Sequence, residues 1–350
     1  MAAKGGNYTK VLVTGGCGFL GSHVCEYYRD RGEEVVSIDN LTKHELMRTG
    51  YKVEGTRSHN WNFLKKIGAK SITGDTRNKD DLIKSAEDCD YIIHAAAQPA
   101  MTISMEQPGL DLATNVVGTF NVLETARKFD LPVVNCSTIH VYGNKINETL
   151  KEGKTRYIRK PPAIDEEYPI MQGEMTPLHA SKRAAELYVQ TYIDTYGLEA
   201  ATFRLTGMYG PRQFGGEDHG WVANFVIRTV LKLPIKVFGT GKQVRDILYA
   251  SDAAAAFDAF YRKRKPGIYN VGGGTERAIS LVECLGLIKE ITGLEQNIEF
   301  KEVRLGDLWY FVCDITRAKK NLTWKPKVSN KEGVKKLVEW VKENRGLFGG

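Results

Sequence analysis

Paired cysteines, long apolar runs and charge of one sign are all missing from this chain. Its six cysteines (17, 25, 89, 136, 284 and 313) are scattered, with no CxxC pair. That excludes a disulfide framework or a thiolate zinc site and fits a reduced, cytoplasmic protein. The seven histidines show no ligand spacing with carboxylates or cysteines, so no metal is expected. No apolar run approaches the length of a membrane span, and the N-terminus has no apolar signal segment, which leaves no membrane partner. In that setting the Asn-x-Thr triplets at Asn147 and Asn321 read as chance matches. Lys and Arg total 49 against 42 Asp and Glu, a net +7. The excess is spread along the chain, so no focused basic element points to nucleic acid. Internal repeats and low-complexity tracts are also absent.

What remains is 350 residues, 42% of them hydrophobic, enough to bury a sizeable core in one large domain or two modest ones. Strand-like and helical segments alternate from Lys10 to about Phe203. Strands are expected at 10–14, 34–38, 70–73, 91–95, 133–137 and 200–205, and helices at 19–31, 79–86, 110–129 and 177–196. This alternation predicts an α/β fold: a Rossmann-type doubly wound parallel sheet covered on both faces. A long polar stretch separates Gly143 from Pro177. Loops of that length inside a compact domain usually serve function. After Gly210 the pattern shifts to short elements, Gly-rich turns and two late helices near 280–292 and 330–344, read as a smaller C-terminal substrate-binding lobe. The expected division is 1–205, with later crossing segments, for the dinucleotide-binding domain, and mainly 206–350 for the second lobe.

The most informative stretch is Thr14-Gly15-Gly16-Cys17-Gly18-Phe19-Leu20-Gly21, set between a predicted strand and a predicted helix. Glycines at 15, 18 and 21 let the backbone turn sharply, approach a pyrophosphate and pack the helix close to the strand. The helix start at Phe19 and Leu20 then offers free amides to the anion. Asp39 ends the second strand, where a carboxylate binds both ribose hydroxyls of NAD and repels the 2′-phosphate of NADP.

Several further motifs follow in order: Asp39-Asn40, Gly74-Asp75-Thr76-Arg77, His94-Ala95-Ala96-Ala97-Gln98, Asn115 in NVVGTFNVLE, Ser137-Thr138 before Val141-Tyr142-Gly143, Ser181-Lys182 and Arg245-Asp246. With them the chain resembles the extended short-chain dehydrogenase/reductases that act on nucleotide sugars, over nearly its whole length. Within that group it looks most like CDP-tyvelose (CDP-paratose) 2-epimerases. The more specific stretches are Gln98–Ser104, Thr155-Arg156-Tyr157, Met208–Phe214, Gly220-Trp221-Val222 and Gly241–Asp246. The resemblance implies bound NAD and a cycle in which a sugar carbon is oxidised to a ketone and reduced again on its other face. It places Asn40, Asp75, Thr76, Ala95, Ala96, Ala97 and Asn115 around the cofactor with the glycine loop and Asp39. Thr138 matches the residue that orients the sugar, and Lys182 the cation that also binds the nicotinamide ribose. For Lys182 the competing reading is a surface pair with Glu186 one turn on. Arg245 and Arg304 match diphosphate-binding positions, Gln213, Phe214, Trp221 and Val222 line the nucleotide and sugar pockets, and Thr102 and Ser104 reach the sugar. A CDP-linked sugar is the expected substrate. A homodimer through 110–129 and 177–196 is the expected assembly.

One position departs from the pattern. The family's catalytic tyrosine stands one helical turn before the lysine, and here that residue is Leu178. Three accounts compete. His179, next to it, supplies the proton-transfer group, although neighbouring helical side chains diverge by about 100°. His140 or a bound water does the work. Or the protein is catalytically impaired and binds without turning over. Another nucleotide-sugar reaction on the same scaffold, such as 4-epimerisation, is the alternative chemistry. Ile139-His140 stands where related dehydratases carry an Asp-Glu pair, which argues against dehydration.

Overall fold

The computed structural model of the chain describes residues 9–46 and 48–349. Among these, seven strands form one parallel sheet: β1 (Lys10–Thr14), β2 (Glu34–Asp39), β3 (Lys70–Thr73), β4 (Tyr91–His94), β5 (Val133–Thr138), β6 (Ala200–Leu205) and β7 (Gly267–Val271). Their order across the sheet is β7-β6-β5-β4-β1-β2-β3, all in parallel register. The central strands are apolar without alternation, because helices cover both faces. Helix Phe19–Arg29 packs on helix Ala250–Lys263 on one side, and helix Gly118–Phe129 packs between its neighbours Lys79–Ala86 and Pro177–Tyr196 on the other. The chain winds outward in both directions from β1 and β4. Loops leaving those two strands therefore diverge, and a crevice opens between them at the carboxyl edge.

The expected strands and helices are found to within two residues, except the helix at 110–129. That segment is a helix Pro108–Leu112, a wider π-helical turn Ala113–Val117 and a helix Gly118–Phe129. Helices Thr56–Lys66, Trp221–Leu231 and Ala250–Lys263 were not expected. Thr56–Lys66 buries only Thr56, Asn60 and Leu64, too few for an apolar stripe to be read from its sequence. β7 lies beyond residue 206 and returns to the main sheet beside β6.

The second lobe has its own core. Val226, Ile235, Cys284, Leu285, Val334 and Leu337 bring helix Trp221–Leu231 against helices Leu281–Thr292 and Asn330–Glu343. Short strands Ile235–Phe238 and Ile298–Lys301 pair in parallel beside it. The 143–177 stretch contains a small hairpin, Lys151–Glu152 with Tyr157–Ile158. It is strapped to the second lobe: Arg156 Nε donates to Glu283 at 2.8 Å, and Tyr157 stacks on Trp309 with centroids 5.4 Å apart. No helix of the described residues is long and apolar enough to cross a membrane.

Candidate active site

A cavity of about 740 Å³ runs from the β1–β4 crevice into the second lobe. At its first end Gly15, Gly18, Phe19, Leu20, Gly21, Asp39, Asn40, Thr76 and Ala95–Ala97 line the wall. Gly15 has φ +72°, and a Cβ there would lie 2.8 Å from the backbone of Ala96, so the loop can cross the alanine segment only as glycine. Gly18 caps helix Phe19–Arg29 without a side-chain bond, and the first turn carries no acid, which leaves its N–H groups for an anion. The Asp39 carboxylate is fixed by two backbone donors, Cys17 N–H at 2.9 Å and Leu41 N–H at 2.7 Å. A dinucleotide with a free 2′-hydroxyl fits this cradle.

The alanine segment is itself held by a proton chain that fixes one tautomer of His94. The Thr119 hydroxyl donates to Asn115 O at 2.6 Å, so it accepts from His94 Nε2 at 3.1 Å. His94 Nδ1 then accepts from Thr14 Oγ1 at 2.8 Å, and Thr14 in turn accepts from Ala96 N–H at 3.1 Å. Burial, and the nearby Lys182 charge, hold the His94 imidazole neutral, with its pKa lowered to about 3. Replacing Gly15 by alanine should weaken NAD binding by on the order of 10- to 100-fold, through left-handed backbone strain and collision with Ala96. Fluorescence titration with NAD checks this. Affinity within twofold of the parent in a folded variant would remove the loop from the cofactor site.

The middle of the cavity is lined by Cys136, Thr138, His140, Leu178 and Lys182. Lys182 is buried on helix Pro177–Tyr196, and its Nζ donates to Cys136 O at 2.9 Å. Burial lowers its pKa from the usual value. The surface pair with Glu186 is not formed as read from spacing. Glu186 is fully buried and bonds Arg204 through both oxygens, at 3.0 and 2.9 Å, and Ser137 at 2.6 Å. The Thr138 hydroxyl accepts from His140 N–H at 3.2 Å, turning the chain sharply at the end of β5. His140 Nδ1 has no hydrogen-bond partner among the described residues, and burial, then the charge of Arg245, then His179, lower its pKa to about 3.

The second lobe contributes Gln213, Phe214, Trp221, Arg245 and Arg304 to the cavity wall. Arg245 donates to Val244 O at 2.8 Å and also to Leu308 O. Arg304 lies over the Phe238 ring, 3.6 Å from its centroid, and donates to Glu217 O at 2.6 Å. Gln213 Oε1 is buried and unpartnered among the described residues.

Five expected site residues lie outside the lining, each for a local reason. His179 turns back to cap its own helix, its Nδ1 accepting from Thr176 N–H at 3.0 Å, which draws its ring away from the cavity wall. The π-turn points Asn115 inward, where it bonds Gln98 O, Asp111 and Ser181 at 3.1, 3.0 and 3.1 Å; it holds the loop that forms the wall. Asp75 is taken up by Arg77 at 2.9 and 2.6 Å and by Asn40 at 2.9 Å. Ser104 bonds its own helix at Met101 O, and Val222 packs in the second core. Sequence reasoning missed Arg57, Asp218, Gln243 and Asp307, all of which line the cavity. Arg57 was hidden in the unexpected helix, where it donates to Thr42 O at 2.8 Å.

The family described as NAD dependent epimerase/dehydratase matches residues 11–272, and the chain belongs to it. It is an NAD-dependent enzyme of that family. Among curated relatives it is 34% identical to CDP-paratose 2-epimerase of Salmonella typhi, over 95% of this chain and 99% of that one. It is 33% identical to the putative UDP-glucose 4-epimerase of Methanocaldococcus jannaschii, over 95% and 99%. Among solved structures it is similar to the Thermus thermophilus UDP-glucose 4-epimerase complex with NAD, with TM-score 0.77, 30% identity and coverage of 96% and 100%.

Proposed function

We propose that this enzyme is a nucleotide-sugar epimerase whose substrate is a CDP-linked sugar inverted at C2. The observation that carries the reading is the single cavity that joins the glycine-loop cradle, through Thr138 and Lys182, to Arg245 and Arg304. The 34% identity to a CDP-paratose 2-epimerase favours the C2 reaction; the similarity to UDP-glucose 4-epimerases keeps C4 inversion as the alternative. The glycine loop and Asp39 would hold NAD, which would supply the hydride acceptor and donor for the sugar carbon. The chain's residues then have separable tasks. Arg245 and Arg304 hold the diphosphate through guanidinium bonds. Thr138 orients the reacting hydroxyl, and the Lys182 ammonium stabilises negative charge developing on its oxygen. The imidazole of His140 takes the hydroxyl proton in place of the missing tyrosine. Burial does most to lower its basicity and the Arg245 charge adds to it, so a diphosphate that neutralises Arg245 relieves the second of these causes. Enclosure by both lobes keeps a ketone from escaping between the two hydride transfers. Residues 1–205 with the returning β7 serve the cofactor, and 206–350 mainly serve the nucleotide sugar. Free, buried cysteines throughout support a reducing, cytoplasmic setting.

Proton NMR of the protein with NAD and CDP-paratose tests this. Appearance of the anomeric signal of CDP-tyvelose without net NADH supports C2 epimerisation. No conversion in protein that binds NAD, with conversion of a UDP-hexose at C4, would replace it. A second reading, binding without turnover, rests on Leu178, whose side chain occupies the wall where the family has its tyrosine. It gains only if CDP-sugars bind and none is converted.

Assembly as a homodimer is part of the same proposal. Phe120 and Tyr188 meet edge to face at 6.1 Å across helices Gly118–Phe129 and Pro177–Tyr196. With Leu187 (50% exposed) and Tyr196 (53%) on the second of these helices, and Leu112 (57%) at the end of the preceding helix Pro108–Leu112, they leave an apolar face. The double variant Phe120→Asp/Leu187→Asp is expected to run as a monomer in light scattering where the parent runs as a dimer. A monomeric parent would end this part of the reading.

A further inference from the structure

Two residues expected to meet the substrate converge instead on one carboxylate. Thr102, in helix Met101–Glu106 beside the cofactor crevice, donates to Asp218 Oδ2 at 2.7 Å. Arg304, in the second lobe, faces Asp218 Oδ1 at 3.5 Å while it bonds Glu217 O. Asp218 thus joins the two walls of the cavity and occupies the guanidinium proposed to bind the diphosphate. The neighbouring Glu217 carboxylate does not share this task, since it faces Lys236 at 3.1 Å and Arg228 at 3.5 Å. Gly215, Gly216 and Gly220 surround the acidic pair, and Gly220 has φ +68°, so the segment is built from residues that permit backbone change.

We infer that Asp218 is a placeholder for the substrate diphosphate: an internal anion that holds Arg304 and the Thr102 wall in position and is displaced when phosphate oxygens arrive. The inference rests on the reading of Arg304 as a diphosphate clamp. Its physical basis is competition. A carboxylate and a diphosphate cannot both hold one guanidinium at full strength, and two anions side by side repel. The pair is only partly desolvated, with side chains 32% and 11% exposed, so the internal contact is weak enough to exchange. A clamp prepaired in this way is also oriented before binding, which reduces the ordering cost of a long side chain.

The test is calorimetric titration of the NAD-loaded protein with CDP and with UDP, on the parent, Asp218→Asn, Arg304→Ala and the double variant. Asparagine keeps an acceptor for Thr102 and removes only the charge. Asp218→Asn should tighten nucleotide diphosphate binding by about threefold, in line with a partly exposed ion pair. In the Arg304→Ala background the same substitution should change nothing, which a merely structural role for Asp218 would not produce. Unchanged or weaker binding by Asp218→Asn, or an equal gain without Arg304, overturns the placeholder while leaving the clamp intact. If neither nucleotide binds the parent, the clamp reading fails and the placeholder falls with it.

Discussion

Glu186→Ala should lower the unfolding free energy by about 3–5 kcal/mol, the cost of leaving a buried charge without its partner. Arg204 is 2% exposed and Glu186 fully buried, so neither charge can turn to water. The guanidinium meets the carboxylate through two parallel bonds at 3.0 and 2.9 Å, the geometry that makes such pairs strong. Removing the carboxylate leaves Arg204 with the Tyr142 hydroxyl at 3.0 Å and Glu166 O at 3.4 Å, both neutral. Arginine cannot shed its proton to escape the penalty. Ser137 also loses the acceptor for its 2.6 Å bond. The effect should be large because these bonds tie β5, β6 and helix Pro177–Tyr196 together beneath the site. By contrast, Glu332→Ala, which breaks the exposed pair with Lys336, should cost no more than about 0.5 kcal/mol. Urea unfolding of both variants checks the pair. A loss under about 1 kcal/mol for Glu186→Ala would mean the network is not a keystone of the fold.

Lys182→Met should reduce turnover by about 10²- to 10⁴-fold, the range for losing a group that manages proton transfer. Methionine fills nearly the same stem volume, so packing in the helix is kept while the charge goes. The ammonium donates to Cys136 O at 2.9 Å, with the carboxylate one turn on committed to Arg204. Its charge is therefore directed at the cavity, which Lys182 lines together with Thr138 and His140. NMR conversion rates at saturating CDP-sugar measure the loss, and NAD titration confirms that the site is still formed. If the variant turns over within tenfold of the parent, Lys182 does not touch the reacting oxygen. The comparison also separates the two accounts of Leu178: a binding-only protein has no rate for Lys182 to lose.

The local code was legible because it is short-range. A glycine that must carry φ +72° against Ala96, an acid at the end of β2 and apolar runs buried on both faces are each dictated within a few residues. From these the sheet, the cofactor and the family could be read from the sequence alone. β7 was not, because its place beside β6 depends on a partner more than sixty residues away. His179 and Asn115 fall outside the cavity lining for a related reason. A motif gives the residue, but the π-turn at Ala113–Val117 and the cap at Thr176 decide where each side chain points. The contacts of Asp218 left no trace in the sequence, since Thr102 and Arg304 reach it from distant parts of the chain.

The sequence by itself therefore determined the nucleotide-binding fold, the choice of cofactor and the absence of a tyrosine at Leu178. These rest on backbone sterics and residue chemistry that act locally. Only the tertiary structure decided that Glu186 serves Arg204 and leaves Lys182 to the cavity, that His179 caps a helix while His140 faces the site, and that one acid spans both walls. Those outcomes are set by which buried charges find partners, and that competition is resolved only when distant segments pack.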